Sequence, residues 1–370
     1  MNILILANHF NAGGISSYIL NLTRGLISGG HKVYVASGGG DWIERVGAYG
    51  AKNIYLPLRT KSVISPKLLF AYCALKKIIK SEGIDIIHAQ TRVSGVLASW
   101  VFRKTGIPFV STAHGFYQRR WGRRIFPGWG RFIIAISDPV RKHLIEYFGL
   151  NPERVILVHN GIDTGRRSKA EGARQKAESR EQIREKYGLK GGPVVGIIAR
   201  LSEVKGHKYL ISALAKVKEQ IPDVQLLSVG DGKIKKDLER LVRDLKIDEN
   251  VYFIPAVSDT AEPLSVMDIF AMPSLQEGLG LSVMEAMLMG VAVIASSVGG
   301  IKSLIKHNET GILVEPANPQ ALAQGILGLL KDKEKAARLS ARAGEFIIKE
   351  FSLEAMAEET EAVYRKCAGQ

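Results

Sequence analysis

The strongest constraint on this chain is an alternation: short β-branched runs are separated by longer helical segments, in two series parted by a polar stretch. Strands buried in a parallel sheet and covered by helices produce this pattern. In the first series the strands are expected at Asn2 to Ala7, Lys32 to Ala36, Ile84 to His88, Pro108 to Thr112, Phe132 to Ile136 and Arg154 to Val158. In the second they are expected at Val194 to Ala199, Gln225 to Val229, Val251 to Ile254, Ile269 to Met272, Val291 to Ala295 and Gly311 to Val314. Between the series, Gly165 to Lys190 is polar, with almost no apolar residue before Ile183. A length of 370 residues exceeds what one core usually serves. The expected fold class is therefore α/β: two doubly wound Rossmann-like domains facing each other across a cleft. The expected boundaries are residues 1–165 for the first domain, 166–190 for a linker and 191–350 for the second domain, with 351–370 a C-terminal helix returning to the first. In open parallel sheets, ligands bind where the strands' carboxyl ends meet their loops.

Bulk properties narrow the class. The opening MNILILANHF has no basic leader and too short an apolar run for a signal segment, so it reads as a first strand. No uncharged apolar stretch approaches the length of a membrane span, and a soluble cytoplasmic protein is expected. Cys73 and Cys367 are too few and too far apart for a disulfide framework or a zinc site. Net charge is +15, unevenly spread: residues 1–165 hold 21 Lys/Arg against 8 Asp/Glu, and the remainder 30 against 28. The basic surface thus belongs to the first half.

The most informative segment is Pro273 to Ser296, PSLQEGLGLSVMEAMLMGVAVIAS: strand end, glycine-rich turn, short helix, glycine stop, strand. Amides at Gly280 to Ser282 would open the helix and suit a diphosphate. Carboxylates flanking an anion site are not there for the phosphates. Glu277 in the turn and Glu285 in the helix are better explained as acceptors for sugar hydroxyls. The competing reading is a helix-terminal acid and a solvated face.

On EGLGLSVMEAMLMG, with its two glutamates separated by seven residues, the chain resembles the retaining glycosyltransferases of family 4, the glycosyl transferases of group 1, over nearly its whole length. The resemblance implies the GT-B fold. It assigns Glu277 to donor-sugar hydroxyls and Glu285 to the nucleotide ribose, with Gly278, Leu279, Gly280 and Leu281 also on the donor side. GIIARLSEVKG places Arg200 at a strand end and Lys205 at the next helix mouth, where the family carries a matching Arg and Lys-Gly. Two cations there would stabilise a leaving diphosphate.

Gly13 and Gly14 open the first helix and would let backbone approach a ligand; a merely tight turn is the alternative. The full dinucleotide fingerprint is absent, which argues against a dehydrogenase. His114 follows the Pro108 to Thr112 strand, where many family members have a histidine-glycine near the transferred sugar. Gly230 and the Gly299-Gly300 pair read as donor-side turns. Ile254 ends a strand beside the expected base pocket and runs into Pro255, where the family often has glycine. No Asp-x-Asp or His/Glu spacing suggests a metal, so Arg200, Lys205 and the helix terminus would take the place of magnesium. No cofactor is expected beyond the substrate, a UDP- or GDP-linked sugar. Resemblance further implies retention at the anomeric carbon without a protein nucleophile.

From Phe116 to Arg131 the chain reads FYQRRWGRRIFPGWGR, five arginines and five aromatics with no acid. Arg119, Arg120, Trp121, Arg123, Arg124 and Trp129 would face a lipid-linked acceptor or an anionic membrane surface. Single-stranded nucleic acid or an acceptor-closing loop are the other uses of such a mixture. The reading that joins these features is a retaining, metal-independent transferase moving a hexose-type sugar to a glycan or lipid-linked acceptor. Its expected setting is cell-envelope polysaccharide or lipopolysaccharide synthesis, in the cytoplasm and peripherally at the inner face of the cell membrane. Nucleic acid is not the expected partner. A nucleotide-sugar epimerase or phosphorylase on the same scaffold, and a non-catalytic basic binding module, remain the rivals.

Overall fold

The structure is a computed structural model describing residues 1–119, 121–165 and 177–369. It divides into two compact units, Met1–Gly161 with Phe351–Gln370, and Ile162–Glu350.

The first unit is built on a seven-stranded sheet: β1 (Asn2–Leu6), β2 (Lys32–Ser37), β3 (Lys52–Tyr55), β4 (Ile86–Ala89), β5 (Phe109–Ala113), β6 (Phe132–Ala135) and β7 (Val155–Leu157). Their order across the sheet is β3-β2-β1-β4-β5-β6-β7, all parallel. Residues Ile3 to Leu6 are wholly buried, as a central parallel strand requires. Alternate side chains then serve opposite faces. Ile3 and Ile5 join a cluster with Tyr18, Ile19 and Leu22, whereas Leu4 and Leu6 join Leu75, Ile79, Leu97 and Val101.

The final helix, Leu353–Ala368, lends Met356, Val363, Tyr364 and Cys367 to the first of these clusters. A glycine admits it. A β-carbon on Gly25 would lie 2.6 Å from Leu353 Cδ2 and 2.7 Å from the Ala357 methyl, so side chains of the helix Leu353–Ala368 rest directly on the backbone of the helix Gly14–Ser28.

The second unit carries β8 (Val194–Ile198), β9 (Gln225–Val229), β10 (Val251–Ile254), β11 (Ile269–Met272), β12 (Ala292–Ser296) and β13 (Ile312–Val314). They form one parallel sheet in the order β10-β9-β8-β11-β12-β13. In both sheets the order reverses beside the first strand of the unit, the doubly wound pattern in which adjacent loops diverge and leave room for a ligand.

Two features differ from the sequence reading. Strand β3 is an edge strand with exposed Lys52, Asn53 and Tyr55, so it lacks the apolar run that marks the other strands. The stretch read as a linker, 166–190, lies outside the described residues over 166–176, but Ala177–Lys186 is helical. That helix is held by polar bonds: Arg180 Nη2 donates to Asp268 Oδ1 at 2.9 Å, and the Tyr187 hydroxyl donates to Glu262 at 2.6 Å. Arg184 Nη2 donates to the Gly192 carbonyl at 2.8 Å. Such anchoring leaves no apolar stripe to read.

Candidate active site

In the second unit, the loops leaving the carboxyl ends of four strands lock onto one another. After β8 the chain runs through Arg200, which is exposed, to a single 3-10 turn, Glu203–Lys205. Gly206 ends that turn with φ 71 and opens the helix His207–Lys218. A β-carbon on Gly206 would lie 1.9 Å from the Pro273 carbonyl oxygen. The loop after β8 is thereby pressed against the loop after β11, where the Leu275 amide donates to the Val204 carbonyl at 2.8 Å.

This contact brings Lys205 to Glu277. Lys205 Nζ lies 2.5 Å from Glu277 Oε2, with 23% and 12% of the side chains exposed. The buried Ser274 hydroxyl is 3.4 Å from the same carboxylate oxygen. The Gly300 amide donates to the Glu277 carbonyl at 3.0 Å, and a β-carbon on Gly300 would stand 2.1 Å from the Gly278 oxygen. The loop after β12 therefore fixes the backbone of the acid.

Gly280, at φ 107, turns this loop into the helix Leu281–Leu288, and its carbonyl accepts from Val283 and Met284. The Leu281 and Ser282 amides come before this ladder, have no intrahelical acceptor and lie at the positive end of the helix. Leu279 is buried beneath them, and Leu281 is half-buried. The turn after β9 closes the set. Gly230, at φ 147, would carry a β-carbon 2.1 Å from the Ala199 oxygen, and its amide donates to the Ile254 carbonyl at 2.9 Å. Asp231 Oδ2 accepts from the Ala256 amide at 2.9 Å.

Glu285 lies further along the helix and is half-buried. It lines a small cavity of about 10 Å³, room for one water, with Ile162, Thr260, Ala261, Leu288 and Met289. Two residues here were not singled out from sequence. Ser274 carries no motif of its own. His207 is 2% exposed with neither ring nitrogen hydrogen-bonded among the described residues. Burial, and then the charge of Lys205, pushes it down to about 4, so the ring is neutral. Its position directly after Lys205-Gly206 was the available signal.

In the first unit, His114 follows β5 and its backbone amide donates to the Tyr117 hydroxyl at 3.0 Å. Its Nε2 is 2.8 Å from Gln90 Oε1, and the Tyr18 ring meets it edge-on at 4.8 Å. Burial pushes its pKa down to about 3, so it is a neutral imidazole. With the Gln90 oxygen as acceptor, Nε2 carries the proton and Nδ1 is left as an acceptor. Beneath it runs a buried chain: Tyr364 hydroxyl to His88 Nδ1 at 2.6 Å, His88 Nε2 to Thr112 Oγ1 at 2.6 Å, and Thr112 to the Tyr18 hydroxyl at 3.4 Å. Gly13 caps the first helix at φ 156, and a β-carbon there would meet nothing within 4 Å, leaving the Gly13-Gly14 turn open.

The arginine and aromatic segment does not act as one outward face. Arg123 is turned inward, with its guanidinium 4.3 Å from the Tyr117 ring centre, 5.0 Å from Trp129 and 5.9 Å from Phe148. Arg119 and Arg124 are exposed, and Arg119 lies over Tyr147 at 5.1 Å. Arg120 lies outside the described residues. Trp121 is 81% exposed on the short helix Trp121–Ile125, and Ile125 beside it is 57% exposed. Between the outward and inward residues stands Gly128, at φ 68, where a β-carbon would lie 2.8 Å from the Arg92 oxygen and no side chain fits.

Known proteins resemble this chain in sequence and in fold. Residues 179–346 match the family described as Glycosyl transferases group 1, and residues 12–166 match Glycosyltransferase Family 4. An uncharacterised glycosyltransferase of Methanocaldococcus jannaschii is 27% identical over 95% of this chain and 94% of its own. An Escherichia coli UDP-Gal:α-D-GlcNAc-diphosphoundecaprenol α-1,3-galactosyltransferase is 25% identical over 76% of each chain. The crystal structure of a glycosyltransferase from Rickettsia africae superposes with a TM-score of 0.83 at 25% identity, covering 99% of this chain and 98% of that one. The chain belongs to the group 1 glycosyltransferases of the GT-B fold. Among the described residues no helix is long and apolar enough to cross a membrane.

Proposed function

We propose that this glycosyltransferase retains anomeric configuration, needs no metal, and moves a hexose-type sugar from a UDP- or GDP-linked donor to a glycan or lipid-linked acceptor. The observation that carries the reading is the Lys205 to Glu277 pair, set beside the amides that open the Leu281–Leu288 helix. An ammonium has three donors. Glu277 takes one from Lys205, and the others can reach a diphosphate together with Arg200 and the helix amides. The second carboxylate oxygen of Glu277 is then an acceptor for donor-sugar hydroxyls, and Glu285 serves the ribose. Gly278, Gly230 and Ile254 shape the donor side. The second unit, Ile162–Glu350, holds the donor, and the first binds the acceptor.

In the transfer step the bond from the anomeric carbon to the phosphate oxygen breaks as the bond to the acceptor oxygen forms on the same face. The acceptor proton passes to the departing phosphate. Lys205, Arg200 and the helix terminus stabilise the charge that develops there. His114 contributes an uncharged ring whose Nδ1 can accept from a hydroxyl. The name of the E. coli relative supports a UDP-linked donor and a lipid-diphosphate acceptor. Exposed Trp121, Ile125, Arg119 and Arg124 suit an anionic membrane carrying such an acceptor, and a role in the cell envelope follows. The test is product analysis with a panel of nucleotide sugars, with and without acceptor. Inversion of configuration, a requirement for added magnesium, or full transfer by Glu277→Ala would overturn this assignment.

A further inference from the structure

A concavity of about 760 Å³ opens at the β7 edge of the first unit. Four cations line it from four separate stretches of chain: Arg131, Arg141, Arg154 and Lys366, with Glu153 the one acid among the lining residues. Arg131 directly precedes β6 and Arg154 directly precedes β7. They therefore sit toward the strands' amino ends, opposite the end where His114 follows β5. Nothing in the proposed reaction uses this groove.

Its cations are held in place yet left charged. Arg131 Nη1 donates to the Cys367 carbonyl at 3.1 Å and Arg141 Nε to the Val155 carbonyl at 3.0 Å. Arg154 donates to the carbonyls of Arg131 at 3.0 Å and Gly130 at 2.8 Å. Lys366 Nζ lies over the Phe132 ring at 4.9 Å. A carbonyl orients a guanidinium but cancels no charge, and among the described residues none of the four is paired with a carboxylate. A solvated basic face would leave such side chains free to move. Here each arginine keeps unused N–H groups on a fixed fork, the arrangement that recognises phosphate oxygens.

We propose that the groove formed by Arg131, Arg141, Arg154 and Lys366 is a binding site for a phosphate-bearing ligand, distinct from the donor loops. The shared chemistry is a phosphate ester or diphosphate, carried on a soluble molecule or as a lipid headgroup. The proposal does not depend on the reaction assigned above.

The test is calorimetric titration of the full protein with inorganic pyrophosphate, alongside Lys205→Ala, Lys366→Gln and the double variant Arg141→Gln/Lys366→Gln. Lys205→Ala is expected to keep the groove's binding, which separates it from the donor site. In that background the double substitution should weaken binding at least about tenfold, the effect of losing charge-assisted bonds. Lys366→Gln alone, at an exposed position, guards against a folding artefact. A second arm measures flotation with phosphatidylglycerol and phosphatidylcholine vesicles. Weaker flotation of the double variant on the anionic vesicles identifies a headgroup ligand, and unchanged flotation with weakened pyrophosphate binding identifies a soluble one. If Lys205→Ala protein shows no pyrophosphate binding, or the double variant titrates as its parent does, the proposal fails.

Discussion

Lys205 Nζ and Glu277 Oε2 stand 2.5 Å apart although 72 residues of chain separate them, because Gly206 and Pro273 let two strand-end loops share one backbone contact. The pair is only partly exposed, so water screens it less than a surface ion pair. Removing either partner strands a charge as well as a ligand group. We expect Lys205→Ala and Glu277→Ala each to lower kcat/KM by at least about a hundredfold, the scale of losing one preorganised electrostatic group. Melting temperature should fall by no more than a few degrees. Near-normal turnover by either purified variant would remove the pair from the site.

The glycines behind the pair should be less forgiving than the pair itself. In Gly206→Ala the new methyl meets the Pro273 carbonyl at 1.9 Å, and in Gly300→Ala it meets the Gly278 carbonyl at 2.1 Å. Backbone cannot yield as a flexible side chain can, so each substitution should cost about 1–3 kcal/mol. Activity should fall with it. Denaturant unfolding midpoints check the prediction, and an unchanged midpoint for Gly206→Ala would mean the two loops are not in contact.

Acid should destabilise the protein through its buried imidazoles. Burial holds His88 down to about 3, with the neighbouring His114 adding to the shift, and His207 down to about 4, against an ordinary 6.5. The unfolded chain therefore binds more protons below pH 6.5. Stability is full above that pH and lost as pH falls toward 4, by up to ~1.4 kcal/mol per pH unit for each ring. Thermal melts from pH 7.5 to 4.5 should show the decline, and His207→Leu should flatten it for the second unit. A flat profile in the parent protein contradicts these neutral rings.

The arginines of the 116–131 segment should separate into two behaviours. Arg123→Ala opens the space among Tyr117, Trp129 and Phe148 and should lower stability by about 1–2 kcal/mol, the worth of a partly desolvated cation–π contact. Trp121→Ala with Arg124→Ala should leave melting unchanged and weaken sedimentation with anionic vesicles, more so at low salt. Equal vesicle binding by the parent and this double variant would restrict the segment to a structural role.

Much of this molecule can be read along the chain, because a parallel strand buried on both faces must be a continuous apolar run and its ligand loops must follow it. The central strands, the EGLGLSVMEAMLMG turn and helix, and the Arg200 and Lys205 loop all carry such local marks. Strand β3 does not, since an edge strand with exposed Lys52 and Tyr55 has no apolar face to show. Nor does the Ala177–Lys186 helix, which charged side chains fasten to distant partners.

What the tertiary structure alone decided is which charges meet. Arg123 and Arg124 are neighbours in sequence, yet one is enclosed by aromatic rings and the other faces outward. Arg131 and Lys366, 235 residues apart, line one groove. Local pattern encodes the strands and turns because burial and backbone geometry act residue by residue. The pairing of a charge depends on which segments the sheet order brings together, and no run of neighbouring residues carries that information.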